Sequence, residues 1–562
     1  MTAARAGKLL FVALLLFLFV GFVCYPVGVL VVESFRGADG FSLATYRAVL
    51  DVNNRANLEA VGNSIGVSIL STLFSALVGL LFAFVFTQFD VPFRSTLARI
   101  AVMPIALPPL VGVVAFLFVF GESGVLPRSL QHVFGMQGVP FALDGISAIV
   151  AVHVYSFYVY SYMFCATALR GIDASLLEAA ATLGASSWRT FRKVVLPELK
   201  PALLGSSLLT FMASMASFSA PLIFAGGRRF IALQIYTTKL NGDLNLAAAQ
   251  SILLVVVSVG FFLGANLIVD PRSLWKAGKG TSRPGRLRTG RVSRAVLLTL
   301  AFALLFLEAL PIAMIVLVSF SVEGSWTSQI LPTAYTLRNY ASLITQPEIV
   351  EPIRNSLVMA AGALVLALVA GVGGAYMLTD VRPGRARMLV DLAMTVPYAI
   401  PGTVLAIALI LAFSTPTVFS GFSVLVGTVW LLPVAYAIRT YPLLARATSS
   451  SLAGVDTALT EAAEVFGAGQ WMKFRRVVLP LILPGIVSGA LLAAIASVGE
   501  FVSSILLYTY SNRPIAVEIL AQLRSFSFGT AAAYCVILLL IILLLVGLSS
   551  LVTRRAEYLR QE

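Results

Sequence analysis

The feature that most constrains this chain is a stretch of 33 residues that occurs twice. It runs first from Leu169 to Pro201 as LRGIDASLLEAAATLGASSWRTFRKVVLPELKP and again from Leu452 to Pro484 as LAGVDTALTEAAEVFGAGQWMKFRRVVLPLILP. At a constant offset of 283 the copies agree at 17 of 33 positions, among them Asp173/Asp456, the Glu-Ala-Ala triplets, Gly184/Gly467, Trp188/Trp471 and Leu196-Pro197/Leu479-Pro480. A chain that repeats such a stretch is one module used twice.

The punctuation of the repeat predicts its local structure. Asp173 and Asp456 stand where a side-chain oxygen caps a short helix. Gly184 and Gly467 are placed to end that helix, and a second one starts at Trp188 or Trp471 and runs into the breaker Pro197 or Pro480. Each copy separates two long apolar runs and carries Arg192 and Lys193, or Lys473, Arg475 and Arg476, beside the next one. Basic residues flanking a span mark the cytoplasmic side. A capped, charged element used twice suits docking to a soluble partner; the plainer alternative is an amphipathic helix lying on the bilayer.

Composition fixes the setting. With 59% hydrophobic and 11% charged residues and a mean hydropathy of +0.95, the 562-residue chain reads as an all-α integral membrane protein. The net charge of +14 is carried by loops beside apolar runs, where it orients the protein and meets anionic lipid rather than nucleic acid. Cys24, Cys165 and Cys535 all fall inside apolar runs and read as small buried hydrophobes, so neither disulfides nor a metal site are expected.

In chain order, Arg5 and Lys8 precede an apolar run from Leu9 to about Val32, long enough for an uncleaved first span. Further runs near 62–87, 100–120, 146–168, 202–225 and 249–269 complete six spans in residues 1–270. A basic cytoplasmic linker, 271–294, carries eight Lys or Arg and no acid. Residues 295–562 then give six more, near 295–319, 355–379, 389–413, 421–438, 484–507 and 533–552. Smaller echoes hold the register: Pro26 with Ser34-Phe35 returns as Pro311 with Ser319-Phe320, Asn63-Ser64 as Asn355-Ser356, and Pro104, Ala106 and Pro108 as Pro397, Ala399 and Pro401. Two six-span modules share one orientation, related by a pseudo-two-fold axis along the membrane normal with a pathway between them. Both termini are expected on the cytoplasmic side.

The Glu-Ala-Ala triplet, the glycine beyond it and the aliphatic-Leu-Pro near the far end resemble the cytoplasmic coupling motif of ABC importer permeases. The resemblance covers the fold of nearly the whole chain and implies a type I importer permease with both modules fused. It also implies Asp173, Glu178, Ala179, Ala180 and Gly184, with Asp456, Glu461, Ala462, Ala463 and Gly467, as the ATPase-coupling residues. The partners implied are a homodimeric ABC ATPase inside and an extracytoplasmic substrate-binding protein outside. Fused permeases of this length resemble those of ferric-iron, 2-aminoethylphosphonate and thiamine importers, with ferric iron the first choice of cargo.

Polar residues inside spans are the other place to look, because a charge at mid-bilayer costs about 2.5 to 3.5 kcal/mol on insertion scales. Glu500 lies in ASVGEFVSS, opposite Ser217 in SMASFSAP. One reading lines the translocation path with Ser217, Ser219 and Glu500; the other hydrogen-bonds Glu500 to a neighbouring helix at a kink. Pro104, Pro108, Pro397 and Pro401 interrupt spans at equivalent places, and broken helices survive in membranes only where buried or lining a cavity, which places them on the translocation path near the seam between the modules; the plainer alternative is a kink needed only for packing. Glu308 and Asp391 read as interfacial. His153, among tyrosines, reads as packed and hydrogen-bonded or as part of an aromatic belt rather than as a metal ligand. The chain has no phosphate-cradling GxxxxGK[ST] loop, no catalytic constellation and no cofactor motif, so energy must come from a partner. An ion-coupled transporter using Glu500 and Glu308, or an integral-membrane enzyme, would have no use for the duplicated motif.

Overall fold

The computed structural model describes residues 3–561 apart from 38–39, 52–54, 140, 142, 269–289, 327–328 and 381–383. Most of the linker expected at 271–294 therefore lies outside the described residues. The described chain is helical almost throughout, with one short ribbon pairing Arg36–Gly37 to Gly40–Phe41.

Among the described residues, ten helices are long and apolar enough to cross a membrane, and an eleventh crossing is made if Arg387–Ala399 and Gly402–Phe413, bent by 105°, are taken as one span. The remaining member of the expected twelve is Leu431–Ala453, 23 residues long. It is the counterpart of Gly145–Arg170, but it starts ten residues later than the expected 421–438 span and brings Arg439 and Arg446 into the helix.

Packing divides the chain into two compact units, one of residues 47–237 with 253–336, the other of residues 1–46 with 238–252 and 337–562. The packing boundary therefore departs from the repeat boundary expected at 270–295. In the first unit Arg291–Ser319, the opening helix of the second half, packs on Pro109–Phe120 and Ala56–Gln88. In the other, Tyr25–Ser34 packs on Gly402–Phe413, with the Phe22 ring 5.4 Å from Phe413 and Tyr25 5.2 Å from Phe419.

Each unit is built on the same helix pair. Ala56–Gln88 lies along Gly145–Arg170, and Pro347–Asp380 along Leu431–Ala453. Small residues permit that close approach. A Cβ on Gly79 would come within 2.6 Å of the Tyr158 carbonyl oxygen and the Tyr162 nitrogen, and one on the equivalent Gly371 within 3.0 Å of the Tyr441 carbonyl oxygen. The sequence echoes prove to be matching anchors. Asn63 donates to the Arg229 carbonyl and Ser64 accepts from the Ile231 N–H, while Asn355 donates to the Arg513 carbonyl and Ser356 accepts from the Ile515 N–H. Tyr158 and Tyr441 likewise cap the ends of broken helices through the Ala101 and Ala393 carbonyls.

Two expectations need correction. Pro197 and Pro480 do not stop their helices: a π-helical turn, Phe191–Val195 or Phe474–Val478, precedes each, and the helix runs on as Leu196–Met215 or Leu479–Val498. The widened turn is where a residue without an N–H is tolerated at least cost. The spans expected at 202–225 and 484–507 are instead interrupted, ending at Met215 and Val498 and restarting as Ser219–Phe224 and Val502–Leu507.

Because Gly79 meets rigid backbone, Gly79→Val should cost about 1–3 kcal/mol through overpacking, and Gly371→Val less. Thermal unfolding of the purified variants in detergent checks this; equal midpoints for both and for the parent chain would show that the close approach is not required.

Candidate functional site

The repeated element folds as its residues dictate. Asp173 Oδ1 accepts from the Ser175 N–H and Asp456 Oδ1 from the Ala458 N–H, both at 2.9 Å, at the starts of Ala174–Thr182 and Thr457–Val465. Each helix ends on a glycine in the left-handed region, Gly184 at φ +70° and Gly467 at φ +76°. Beyond it, Ala185 N–H returns to the Ala180 carbonyl and Ala468 N–H to that of Ala463, both at 3.0 Å. That closes the orphan carbonyls of the last turn. Glu178 and Glu461 stand on solvent-facing positions of their helices. Ser186 caps the helix that follows in the first copy, a residue the motif did not single out.

The turn also presents apolar side chains outward. Leu183 is 86% exposed and Trp188 68%; Val465, Phe466 and Trp471 are 86%, 90% and 71% exposed. Large apolar groups are thus held clear of the protein on a capped turn, an arrangement uncommon on a surface that meets only water.

A second feature lies where Met215 and Val498 end their helices. In the unit containing the second repeat, Glu500 occupies the gap. Its Oε1 accepts from the Ser503 N–H at 3.0 Å, capping Val502–Leu507, and its Oε2 lies 3.5 Å from Arg439 Nε. Tyr436 and Ser504 share a hydrogen bond of 2.6 Å beside it. Glu500 is thus paired with a neighbouring helix at a helix break. In the other unit the corresponding position is Ser217, and its partner is His153: Nε2 meets Ser217 Oγ at 2.8 Å, and Nδ1 faces Ser214 Oγ at 2.9 Å and Ser71 Oγ at 3.2 Å. His153 is 2% exposed and holds serines, the hydrogen-bonded role expected of it. Ser219 is buried, and its hydroxyl has no partner among the described residues.

Pro104 and Pro397 are buried, and Pro108 and Pro401 cap the helices Pro109–Phe120 and Gly402–Phe413. The prolines are thus enclosed, while Ile105, Val396 and Tyr398 beside them are exposed. Asp391 is half-exposed and pairs with Arg446 at 3.2 Å. Glu308, expected to be interfacial, is only 6% exposed and accepts from the Tyr158 hydroxyl at 2.8 Å. The partner sits 150 residues away in sequence, which no local pattern reveals. Arg439 was equally out of reach, since the expected span ended at residue 438. The available signal was its place opposite Ser156 in the offset of 283.

Two like modules of membrane helices, each carrying a capped helix and glycine turn between spans, define a polytopic membrane protein with a duplicated, outward-facing element. The chain belongs to the family of binding-protein-dependent transport system inner membrane components, whose model matches residues 75–273 and 363–558. It is 31% identical over 483 residues to a "Probable ABC transporter permease protein" of Sinorhizobium fredii, covering 85% of this chain and 84% of that one. It is 26% identical over 544 residues to a ferric transport system permease protein of Actinobacillus pleuropneumoniae, covering 95% and 76%. A candidate 2-aminoethylphosphonate transport system permease of Salmonella typhi is 28% identical over 242 residues, 42% of this chain and 83% of that one.

Removing one partner of the Arg439–Glu500 pair leaves a largely enclosed charge. Arg439→Met should therefore lower stability by about 3 kcal/mol, and the double variant Arg439→Met/Glu500→Leu should recover most of it. Thermal unfolding of the two variants decides; a double variant no better than the single one would show that the pair is not coupled.

Proposed function

We propose that this chain is the fused permease subunit of an ATP-driven importer, with Asp173–Gly184 and Asp456–Gly467 docking into the two copies of an ATPase dimer. The observation that carries this reading is the twice-built turn: an aspartate cap, a short helix, a left-handed glycine and outward apolar side chains, in a family of binding-protein-dependent transport components. Closure of the ATPase dimer would move the two elements together, and the helices leading into and out of each would carry that motion to the broken spans at residues 215–219 and 498–502. A secreted binding protein would deliver cargo to the outer face, and both termini would lie in the cytoplasm. An ion-coupled mechanism is less well supported, since Glu500 is held by Arg439 and Glu308 by Tyr158.

For cargo we propose ferric iron, because the ferric permease matches nearly the full chain. The second reading, 2-aminoethylphosphonate, is favoured by the match to a 2-aminoethylphosphonate transport system permease over 242 residues.

Gly184 and Gly467 have open space around the position of a Cβ, so only their backbone conformation forbids other residues. Forcing a β-branched residue there costs about 1–2 kcal/mol or unwinds the turn. Gly184→Val and Gly467→Val should each reduce ATP-dependent uptake into proteoliposomes about tenfold, the equivalent of 1.4 kcal/mol, while membrane insertion stays intact. Normal uptake by both variants would overturn the docking role.

A further inference from the structure

The unit of residues 47–237 with 253–336 contains a cavity of about 830 Å³, within the range of about 300–1,000 Å³ usual for sites that hold small molecules. Its walls are apolar. Leu70, Phe74, Val78 and Phe82 supply one stripe of Ala56–Gln88 at a spacing of four, and Gly145–Arg170 supplies a second from Ile146 to Tyr158. Arg291–Ser319 adds Leu304, Leu307 and Glu308. The cavity is open, since Leu70, Phe74 and Leu307 are 40%, 46% and 40% exposed. All three belong to helices long and apolar enough to cross a membrane. A water-filled path would be rimmed by polar groups, so an opening rimmed by leucine and phenylalanine gives onto hydrocarbon.

The two ends differ in chemistry. At one, the Tyr158 hydroxyl donates to Glu308 at 2.8 Å and ties Arg291–Ser319 to Gly145–Arg170. At the other stand Arg228 and Asp144, both exposed and both lining the cavity. Arg228 Nε lies 3.3 Å from where a Cβ on Gly145 would be, which sets the guanidinium at the start of that helix, one residue from Asp144. Neither charge is used by the protein. Among the described residues no ion pair joins Arg228 to Asp144, neither side chain makes a hydrogen bond, and Asp144 does not cap the helix that follows it. From Asp144 to Tyr158 is 14 residue steps, about 20 Å along a helix axis at about 1.5 Å per residue. One leaflet holds about 15 Å of hydrocarbon, so the cavity is as long as a leaflet is deep with room for a headgroup.

We propose that this cavity holds one phospholipid of the phosphatidylethanolamine type, with an acyl chain along the apolar walls, its phosphate on Arg228 and its ammonium on Asp144. Opposite charges that share an opening and leave each other unpaired match a zwitterionic headgroup. An anionic headgroup gains only the arginine and is repelled by the aspartate. Seated there, the chain fills the space bounded by Arg291–Ser319, the opening helix of the second half, and the pair Ala56–Gln88 and Gly145–Arg170. The lipid thereby holds that opening helix in place. The proposed coupling role enters only through the leaflet: with the repeated element beyond Arg170 in the cytoplasm, the Arg228 end belongs to the outer one.

The test is native mass spectrometry of the purified, delipidated full chain titrated with phosphatidylethanolamine and, separately, phosphatidylglycerol of the same acyl chains. One phosphatidylethanolamine should be retained above the statistical background, about threefold more than phosphatidylglycerol, the size of preference that an exposed ion pair confers. Arg228→Gln should lower phosphatidylethanolamine retention about threefold, and Asp144→Asn should abolish the preference over phosphatidylglycerol. Both positions are exposed, so these variants fold as the parent does. Ala151→Trp, which fills the groove, should lower the retention of both lipids. Phosphatidylglycerol held as well as phosphatidylethanolamine by the parent chain, or a preference unchanged in both charge variants, overturns the proposal. Neither ATPase nor cargo takes part, so failure here leaves the docking of the repeated element untouched.

Discussion

Inside hydrocarbon there is no water to take up a freed N–H or carbonyl, so a membrane helix can be interrupted only where protein groups replace the missing bonds. The organisation of both units follows from how that requirement is met. Tyr158 and Tyr441 reach across to the Ala101 and Ala393 carbonyls at the ends of broken helices, and Glu500 caps the helix that restarts after Val498. Each interruption lies on the helix that leads out of the repeated element, or packs against the helix that leads into it, the contact on which the proposed coupling relies.

The two units solve the same problem with different chemistry. One closes the gap with a cluster of His153 and three serines; the other uses an ion pair, Arg439 and Glu500, and leaves Arg439 Nη1 without a hydrogen-bond partner among the described residues. A duplicated scaffold needs only one chemically distinctive face if the cargo passes between unlike walls. The divergence of Pro109 and Gly402, and of Ser156 and Arg439, falls at this level of the spans while the anchors Asn63/Asn355 and Ser64/Ser356 stay the same.

Much of the fold was legible because it is written in local rules. The aspartate caps, the left-handed glycines and the spans follow from residue chemistry and from a repeat visible at one offset. What escaped was long-range or compensatory. Pro197 and Pro480 look like helix breakers, and only the π-helical turn before each lets the helix continue. Glu308 looks interfacial beside Pro311 until Tyr158 is found beside it. Arg439 falls one residue beyond the expected span 421–438, because the apolar stretch 421–430 reads as part of that span, whereas the helix begins at Leu431 and carries the arginine inward. The pairing of each opening helix with the spans of the other half leaves no trace in hydropathy at all.

The central claim is that two sister elements are gripped at once by a partner on one side of the membrane. The most direct measurement is labelling of single cysteines at Trp188 and Trp471, exposed positions one helix start beyond each glycine turn, in a chain with Cys24 replaced by alanine. With a membrane-impermeant maleimide, both positions should label in inside-out vesicles, remain unlabelled in right-side-out ones, and be protected together when an ATPase partner is bound. Labelling of the two positions from opposite faces would contradict the account.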